Sequence, residues 1–439
     1  MAHQSSKLKK QHGLSGTPNV GLWTSTFGLF AGLTTIVLYG VAGPEFKSSL
    51  GLSGALLGVL LSSPHVSKAF LRIPFGAWVD EVGGKTPFLV LLSCSIIGLA
   101  GITGVLFFYY PNNFDTSLFP LLLFFGILGG AGGATFSVGV PKTSYWFPKH
   151  KQGYALGIYA GAGNIGPGVF NYMIPLLVGI WGLTGAYFSW LIFLIIATAV
   201  YAYFALDSYF FQLVEEDVPP DEAKKIAQDL GQNVHPSGST WQSLKQSAKN
   251  HRTWILVFLY SISFGGGFTA LTAWFPTYWN LFHGVSLITA GGIAAIFTIY
   301  GSLIRIPGGK LSDHYGGENI AIISFSIMAL GGLVLSLATT FWMAFFGMMI
   351  LGTGMGVANA AIFELVPKYI PDAVGGASGW IGGIGGAGTL IIIPLLGAFV
   401  DWYGQIGYAR GFIIFVIMSA ICAAVSYGLK VFIGDKKLA

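Results

Sequence analysis

Long apolar runs separated by short polar stretches fill the chain from about residue 20 to residue 433. A membrane-spanning helix needs about 20 apolar residues. Twelve runs meet that length, at 20–43, 52–79, 86–110, 118–146, 153–181, 183–211, 253–280, 286–312, 319–339, 342–366, 375–400 and 407–433. The longest polar stretch, 212–252, holds Glu215-Glu216-Asp217, then Pro219-Pro220, then a short amphipathic pattern from Asp221 to Leu230. It divides the spans six and six. The pattern predicts an all-α membrane protein with an N-terminal six-helix half (1–211), a linker (212–252) and a C-terminal six-helix half (253–439). An even number of spans puts both ends on one side.

Composition fits lipid as the solvent. Apolar residues make up 54% of the 439-residue chain, mean hydropathy is +0.70, and only 9% of residues are charged, against about 25% in soluble proteins. A net charge of +5 raises the question of nucleic acid, but no basic patch with interleaved aromatics is present. The basic residues set orientation instead: with the N-terminus cytoplasmic, 17 of the 22 Lys and Arg fall inside and two (Lys47, Arg410) outside. Both termini are therefore expected in the cytoplasm, with the protein in the inner membrane. The N-terminal stretch lacks the apolar core of a signal peptide. Cys94 and Cys422 each sit inside an apolar run, which offers no disulfide or metal framework. No cofactor or metal is expected.

Three basic residues, Lys68, Arg72 and Arg305, lie within the membrane. Two of them belong to an internal repeat. RIPFGAWVDEVGGK (72–85) and RIPGGKLSDHYGGE (305–318) share seven of fourteen positions at an offset of 233, each closing the second span of its half. A second echo pairs Gly153, Gly157, Gly161, Gly163 and Gly166 with Gly375, Gly379, Gly383, Gly385 and Gly388. Two related halves around a central site are the physical basis of alternating access. Arg72 and Arg305 each precede an aspartate, Asp80 or Asp313, by eight residues, a helical rise of about 12 Å. That places both guanidiniums near the midplane. A buried arginine needs an anion, a carboxylate or water, and the spans hold almost no acid away from their ends. An anion site follows, since the forked guanidinium suits an oxyanion.

Lys68 lies one turn before Arg72, with His65 three residues further back. These are the titratable candidates for coupling transport to protons, against the plainer readings of a lysine in a wet vestibule and a satisfied helical histidine. GAGNIG (161–166) and GIGGAG (383–388) match a dinucleotide fingerprint but have no strand before them, so close helix packing explains their glycines. Asn164, flanked by glycine, can turn its amide toward a cavity. Tyr260, Phe264 and Phe136 read on pattern alone as packing. The loops after Asp80, with Lys85, and around Asp313 are tight turns able to latch neighbouring helices.

Taken together, these features resemble the nitrate/nitrite porter family of the major facilitator superfamily. FPKHKQGYALGIYAGAGNIG (147–166) looks like that family's first signature, GGASGWIGGIGGAG (375–388) like its second copy, and GTGMGVANAAIFELVPK (352–368) like its tenth helix. The glycine- and aspartate-bearing loops resemble the superfamily motif, although Glu81 and His314 stand where a basic residue is usual. The resemblance implies a twelve-helix carrier of nitrate and nitrite, acting as a monomer. It places the paired substrate arginines on Arg72 and Arg305, hydrogen-bonding groups on Asn164 and Tyr260, and rings flanking a flat anion on Phe136 and Phe264. Lys68 departs from the family, where a small residue is usual. The expected function is nitrate/nitrite exchange. Proton-coupled nitrate symport and carriage of small organic anions such as formate or oxalate are the alternatives. An oxidoreductase is disfavoured by the lack of paired haem-ligand histidines or a cysteine cluster.

Overall fold

The computed structural model describes residues 8–148, 151–232, 240–370 and 373–431; the start of the first signature (149–150) and the end of the expected twelfth span lie outside them. Twelve spans are present. Nine helical segments are long and apolar enough to cross a membrane. One of these, Ala155–Phe204, is two spans joined at Gly182, whose φ of 69° is open to glycine and makes the turn. Ile413–Leu429 and the second span at 54–82 complete the set. The second span falls short of that length only because it is cut into Gly54–Ser62, Pro64–Phe70 and Arg72–Val82.

The cuts are the main departure from the expected continuous helices. At Arg72 and Arg305 the cause is the repeat itself. The motif places Pro74 and Pro307 two residues after the arginine, and neither can donate to the carbonyl four residues back. The second span therefore breaks between Phe70 and Arg72, and the eighth between Leu303 and Arg305. Other spans break at glycine. The fourth tightens into a 3₁₀ turn at Gly130–Ala134, the seventh widens into a π turn at Phe264–Phe268, and the eleventh tightens at Gly385–Gly388. The first passes into a 3₁₀ turn at Thr35–Val37, and the fifth is interrupted at Asn164. All of these lie well inside their spans.

The two halves meet closely at the face away from the linker. Gly54 of the second span and Gly397 of the eleventh touch backbone to backbone; a Cβ on either would lie 2.3 Å or less from the other's carbonyl oxygen. The Asp401 carboxylate accepts from the Gly54 and Ala55 amides at 2.5 and 2.8 Å, a negative charge on the positive end of a helix. Lys47 donates to the Tyr408 hydroxyl at 3.1 Å nearby. On the linker face a Cβ on Gly157 or Gly161 of the fifth span, or on Gly309 of the eighth, would meet nothing within 4 Å. The second span still meets the eleventh there, Ile73 lying against Gly383.

The sixth span ends at Phe204, earlier than the expected 211. Residues beyond it form the short helices Tyr209–Glu215, Pro220–Asp229 and Thr240–Ala248. The second of these matches the amphipathic pattern read at 221–230. The third caps the eleventh span: Ser243 Oγ accepts from the Gly376 amide, and Trp380 Nε1 donates to the Leu244 carbonyl.

Close backbone approach makes a sharp stability contrast. A Cβ at Gly130 would lie 1.8 Å from the Pro64 carbonyl oxygen, so Gly130→Ala should lose stability by about 1–3 kcal/mol or more. Gly157→Ala, with open space, should change it by no more than about 1 kcal/mol. Thermal unfolding of both variants in detergent checks the pair; equal losses would contradict the packing.

Candidate functional site

The interruptions surround one small cavity, lined by Leu33, Ile36, Lys68, Arg72, Phe136, Asn164, Tyr260, Phe264, Gly265, Thr269, Arg305 and Phe363. Every helix that contributes, apart from the tenth, is broken near that depth. Irregular backbone is tolerated inside a membrane where it is buried in protein or lines a cavity. The six residues expected to bind substrate all reach this cavity, and so does Lys68. His65 does not; it is buried behind Lys68 against the backbone of Thr269.

The arginines arrive from opposite halves and are held differently. Arg72 is 7% exposed. Its Nη1 donates to the Gly382 carbonyl of the eleventh span at 2.7 Å, its Nη2 reaches the Gly133 carbonyl at 3.5 Å, and its Nε makes no hydrogen bond. Gly133 belongs to the 3₁₀ turn of the fourth span, so that interruption supplies a carbonyl to the site. No hydrogen bond of the Arg305 guanidinium is found among the described residues. Neither arginine forms an ion pair there: the salt bridges found are Lys224–Asp221 and Lys368–Glu318, both remote. No acidic residue lines the cavity. Two guanidiniums thus face one cavity with no counter-charge among its described lining residues.

Each arginine lies over a ring, Arg72 over Phe136 at 5.2 Å and Arg305 over Phe264 at 4.5 Å. Phe264 also stacks on Phe268, with centroids 4.3 Å apart and planes 10° apart. With a ring and a cation both over Phe264, its edge is what remains for an occupant. That rim is the positive part of the ring quadrupole. The rings' flat faces therefore position the arginines in this conformation.

The π turn explains how Phe264 and Tyr260 come together. Three glycines follow Phe264, and a Cβ on Gly265, Gly266 or Gly267 would collide with Tyr260, the Ser261 carbonyl or the Ile262 carbonyl at 2.2 Å or less. Carbonyls exposed by the turn are met by hydroxyls: Thr269 Oγ1 donates to Gly265 O at 2.6 Å, and Thr389 Oγ1 to Gly266 O at 3.0 Å. Tyr260 stands edge-on to Phe363, with centroids 5.5 Å apart, and its hydroxyl is beside the Arg72 guanidinium. Asn164 closes the first segment of the fifth span. Its Nδ2 donates back to the Ala160 carbonyl at 2.6 Å, leaving its second amide hydrogen and its carbonyl oxygen for the cavity.

The loop residues lie on the linker face. The Tyr145 hydroxyl donates to Asp80. The Gly84 and Lys85 amides donate to the Asp207 carboxylate at 2.7 and 3.0 Å, so Lys85 is held through its backbone. Asp313 is exposed. Nearby, the Tyr369 hydroxyl and the Lys368 ammonium both hold Glu318, the latter at 2.6 Å. Sequence reasoning missed Thr269, Phe363, Leu33, Ile36 and Gly265 on the wall. The triple glycine before Thr269 was the available signal for that turn. Nothing in the spacing marked Phe363.

Comparison with known proteins identifies the family. "Probable nitrate/nitrite antiporter NarK1" of Thermus thermophilus is 27% identical over 409 residues, covering 87% of this chain and 85% of the relative. "Nitrite extrusion protein" of Bacillus subtilis is 29% identical over 394 residues and covers 90% of each. "Probable nitrate transporter NarT" of Staphylococcus epidermidis is 29% identical, covering 86% of this chain and 88% of the relative. Among solved structures, the partially occluded inward-open xylose transporter XylE from E. coli superposes with a TM-score of 0.70 at 17% identity. It covers 94% of this chain and 98% of that one, and shows the shared fold. The Major Facilitator Superfamily pattern matches residues 22–381 and 293–433. With twelve spans, a site between the halves and a match over nearly the whole chain, the protein belongs to the Major Facilitator Superfamily and is a multi-pass membrane carrier, not an enzyme.

Proposed function

We propose that this carrier moves nitrate and nitrite across the inner membrane, with the linker face and both termini in the cytoplasm. One observation carries the reading: two guanidiniums, one from each half, share one cavity with no acid among its described lining residues. An anion is the simplest group that makes such a site stable. The names of the relatives supply the anion. In this reading Arg72 and Arg305 neutralise it, Asn164 and Tyr260 donate hydrogen bonds, and Phe136 and Phe264 hold the arginines and border the anion. The halves at 1–211 and 253–439 rock about the site as a monomer, and the loops at Asp80, Lys85 and Asp313 steady the linker face.

Exchange is the favoured mode. In an empty, closing cavity the two arginines repel with little screening, so the unloaded carrier should reorient slowly and the loaded one readily. Proton symport needs a titratable group at the site, and Lys68 is the one on the wall, with His65 behind it. A small organic anion such as formate or oxalate is the other alternative substrate.

Arg72→Lys or Arg305→Lys should abolish most nitrate uptake in reconstituted vesicles while leaving the folded protein in the membrane, because lysine lacks the planar fork. Near-normal uptake by either variant would contradict the assignment. Asn164→Ala should weaken nitrate binding by about 1.5–3 kcal/mol, the worth of a hydrogen bond to a charged group. Affinity and thermal stability measured side by side check this, and a collapse of stability with affinity unchanged would make the Ala160 contact its whole role.

Uptake of labelled nitrate into vesicles tests the mode. It should require internal nitrite or nitrate and ignore an inward proton gradient. Gradient-driven uptake into vesicles without internal anion, lost in Lys68→Ala or His65→Ala, would establish symport instead.

A further inference from the structure

Three cationic side chains line the cavity, and the function proposed above uses two. The third, Lys68, is 2% exposed, and its Nζ has no hydrogen-bond partner. Its place is built into the packing. A Cβ on Gly133 would lie 2.8 Å from Lys68 Cγ and 3.0 Å from Lys68 Cβ, so only glycine at 133 leaves room for the stem. Among the described residues no acid lines the cavity beside Lys68. Its own segment contributes His65 and Arg72, the seventh span Tyr260 and Thr269, and the eighth Arg305, while the first span offers Leu33 and Ile36.

An ammonium carries three donors and no acceptor. Leaving such a group buried and unpaired is costly, so what fills this cavity must accept from Lys68 as well as from the arginines. Arg72 gives one hydrogen from each Nη to the Gly382 and Gly133 carbonyls, which leaves its Nε and one hydrogen on each Nη, beside the Arg305 fork and the Lys68 ammonium. Three separate cationic donors therefore border one small space.

We propose that Lys68 is a third ligand of the anion and selects flat anions with three oxygens over anions with two. This rests on the nitrate/nitrite reading. Nitrate offers three equivalent oxygens in a plane, one for each cation. Nitrite offers two oxygens, with a weaker nitrogen lone pair at the third corner, so one donor is left poorly met. A site built to hydrogen-bond a group discriminates strongly against the analogue lacking it, because its buried polar atoms are then unpaired. Lys68 is in this account a specificity-determining residue, and the position where a small residue is usual in the resembled family becomes the point at which this carrier separates its two substrates.

The test is the affinity of the purified carrier in detergent for nitrate and for nitrite, in the wild type, Lys68→Met and Lys68→Gln. The wild type should bind nitrate at least about tenfold more tightly than nitrite, the size of one good charge-assisted hydrogen bond. Both variants should lose about tenfold or more for nitrate and less than about threefold for nitrite, so the preference collapses. Equal losses for both anions, or no change in either, would overturn the proposal. If neither variant folds, competition against labelled nitrate in the wild type decides. Nitrite and formate, both two-oxygen anions, should each compete at least about tenfold more weakly than unlabelled nitrate, and equal competition refutes the selection. A wild type that binds neither nitrate nor nitrite refutes the underlying nitrate/nitrite reading before any variant is made.

Discussion

Inside a bilayer no water is available to satisfy a broken helix, so each interruption must be met by the protein or by what the protein encloses. That constraint organises this molecule. Among the described residues seven spans, the first, second, fourth, fifth, seventh, eighth and eleventh, are interrupted well inside their length. Six of them line the cavity, and the eleventh presents the Gly382 carbonyl to Arg72. The third and ninth spans, Lys85–Tyr109 and Gly317–Ser336, run unbroken and border no part of it. Breaks caused by proline set the arginines, and breaks caused by glycine set the aromatic residues and the carbonyls beside them.

Electrostatics then gives the site its direction. Arg72 is tied to a carbonyl of the other half, whereas no hydrogen bond holds the Arg305 fork among the described residues, so the halves are bridged from one side only. An occupant that accepts from both arginines would complete the bridge and relieve their repulsion together. The opposite face is already closed by the Asp401 carboxylate on the Gly54 and Ala55 amides. The linker-facing segments of the fifth and eighth spans present glycines to open space. Charge at the centre and backbone contact at the rim are therefore separate devices, and transport requires the first to control the second.

Much of this was legible in the chain. Twelve apolar runs marked the spans, and the RIP repeat marked the arginines as a related pair, one from each half. Arg72, Arg305, Asn164, Tyr260, Phe136, Phe264 and Lys68 all reach one cavity. The interruptions were not read. Apolar periodicity is the same on either side of a break, and the Phe264 π turn leaves only a run of glycines that equally suits close packing. His65, weighed as a coupling group against a packed helical residue, lies off the cavity wall: spacing on an ideal helix puts it near the Arg72 face, but the chain breaks between them, at Leu71. The ring of Phe264 was expected to cover an anion. Its stacking on Phe268 depends on the π turn, which no pattern of apolar positions encodes.

The central claim is that one anion sits between the two halves and is held by both arginines. The most direct measurement is an experimental structure of the carrier in saturating nitrate. The account predicts density for a single flat anion in the cavity, within hydrogen-bonding distance of Arg72 and Arg305 and bordered by Tyr260, Asn164 and the edge of Phe264. A structure in which the cavity stays empty at saturating nitrate, or in which the anion touches the arginine of only one half, would contradict it.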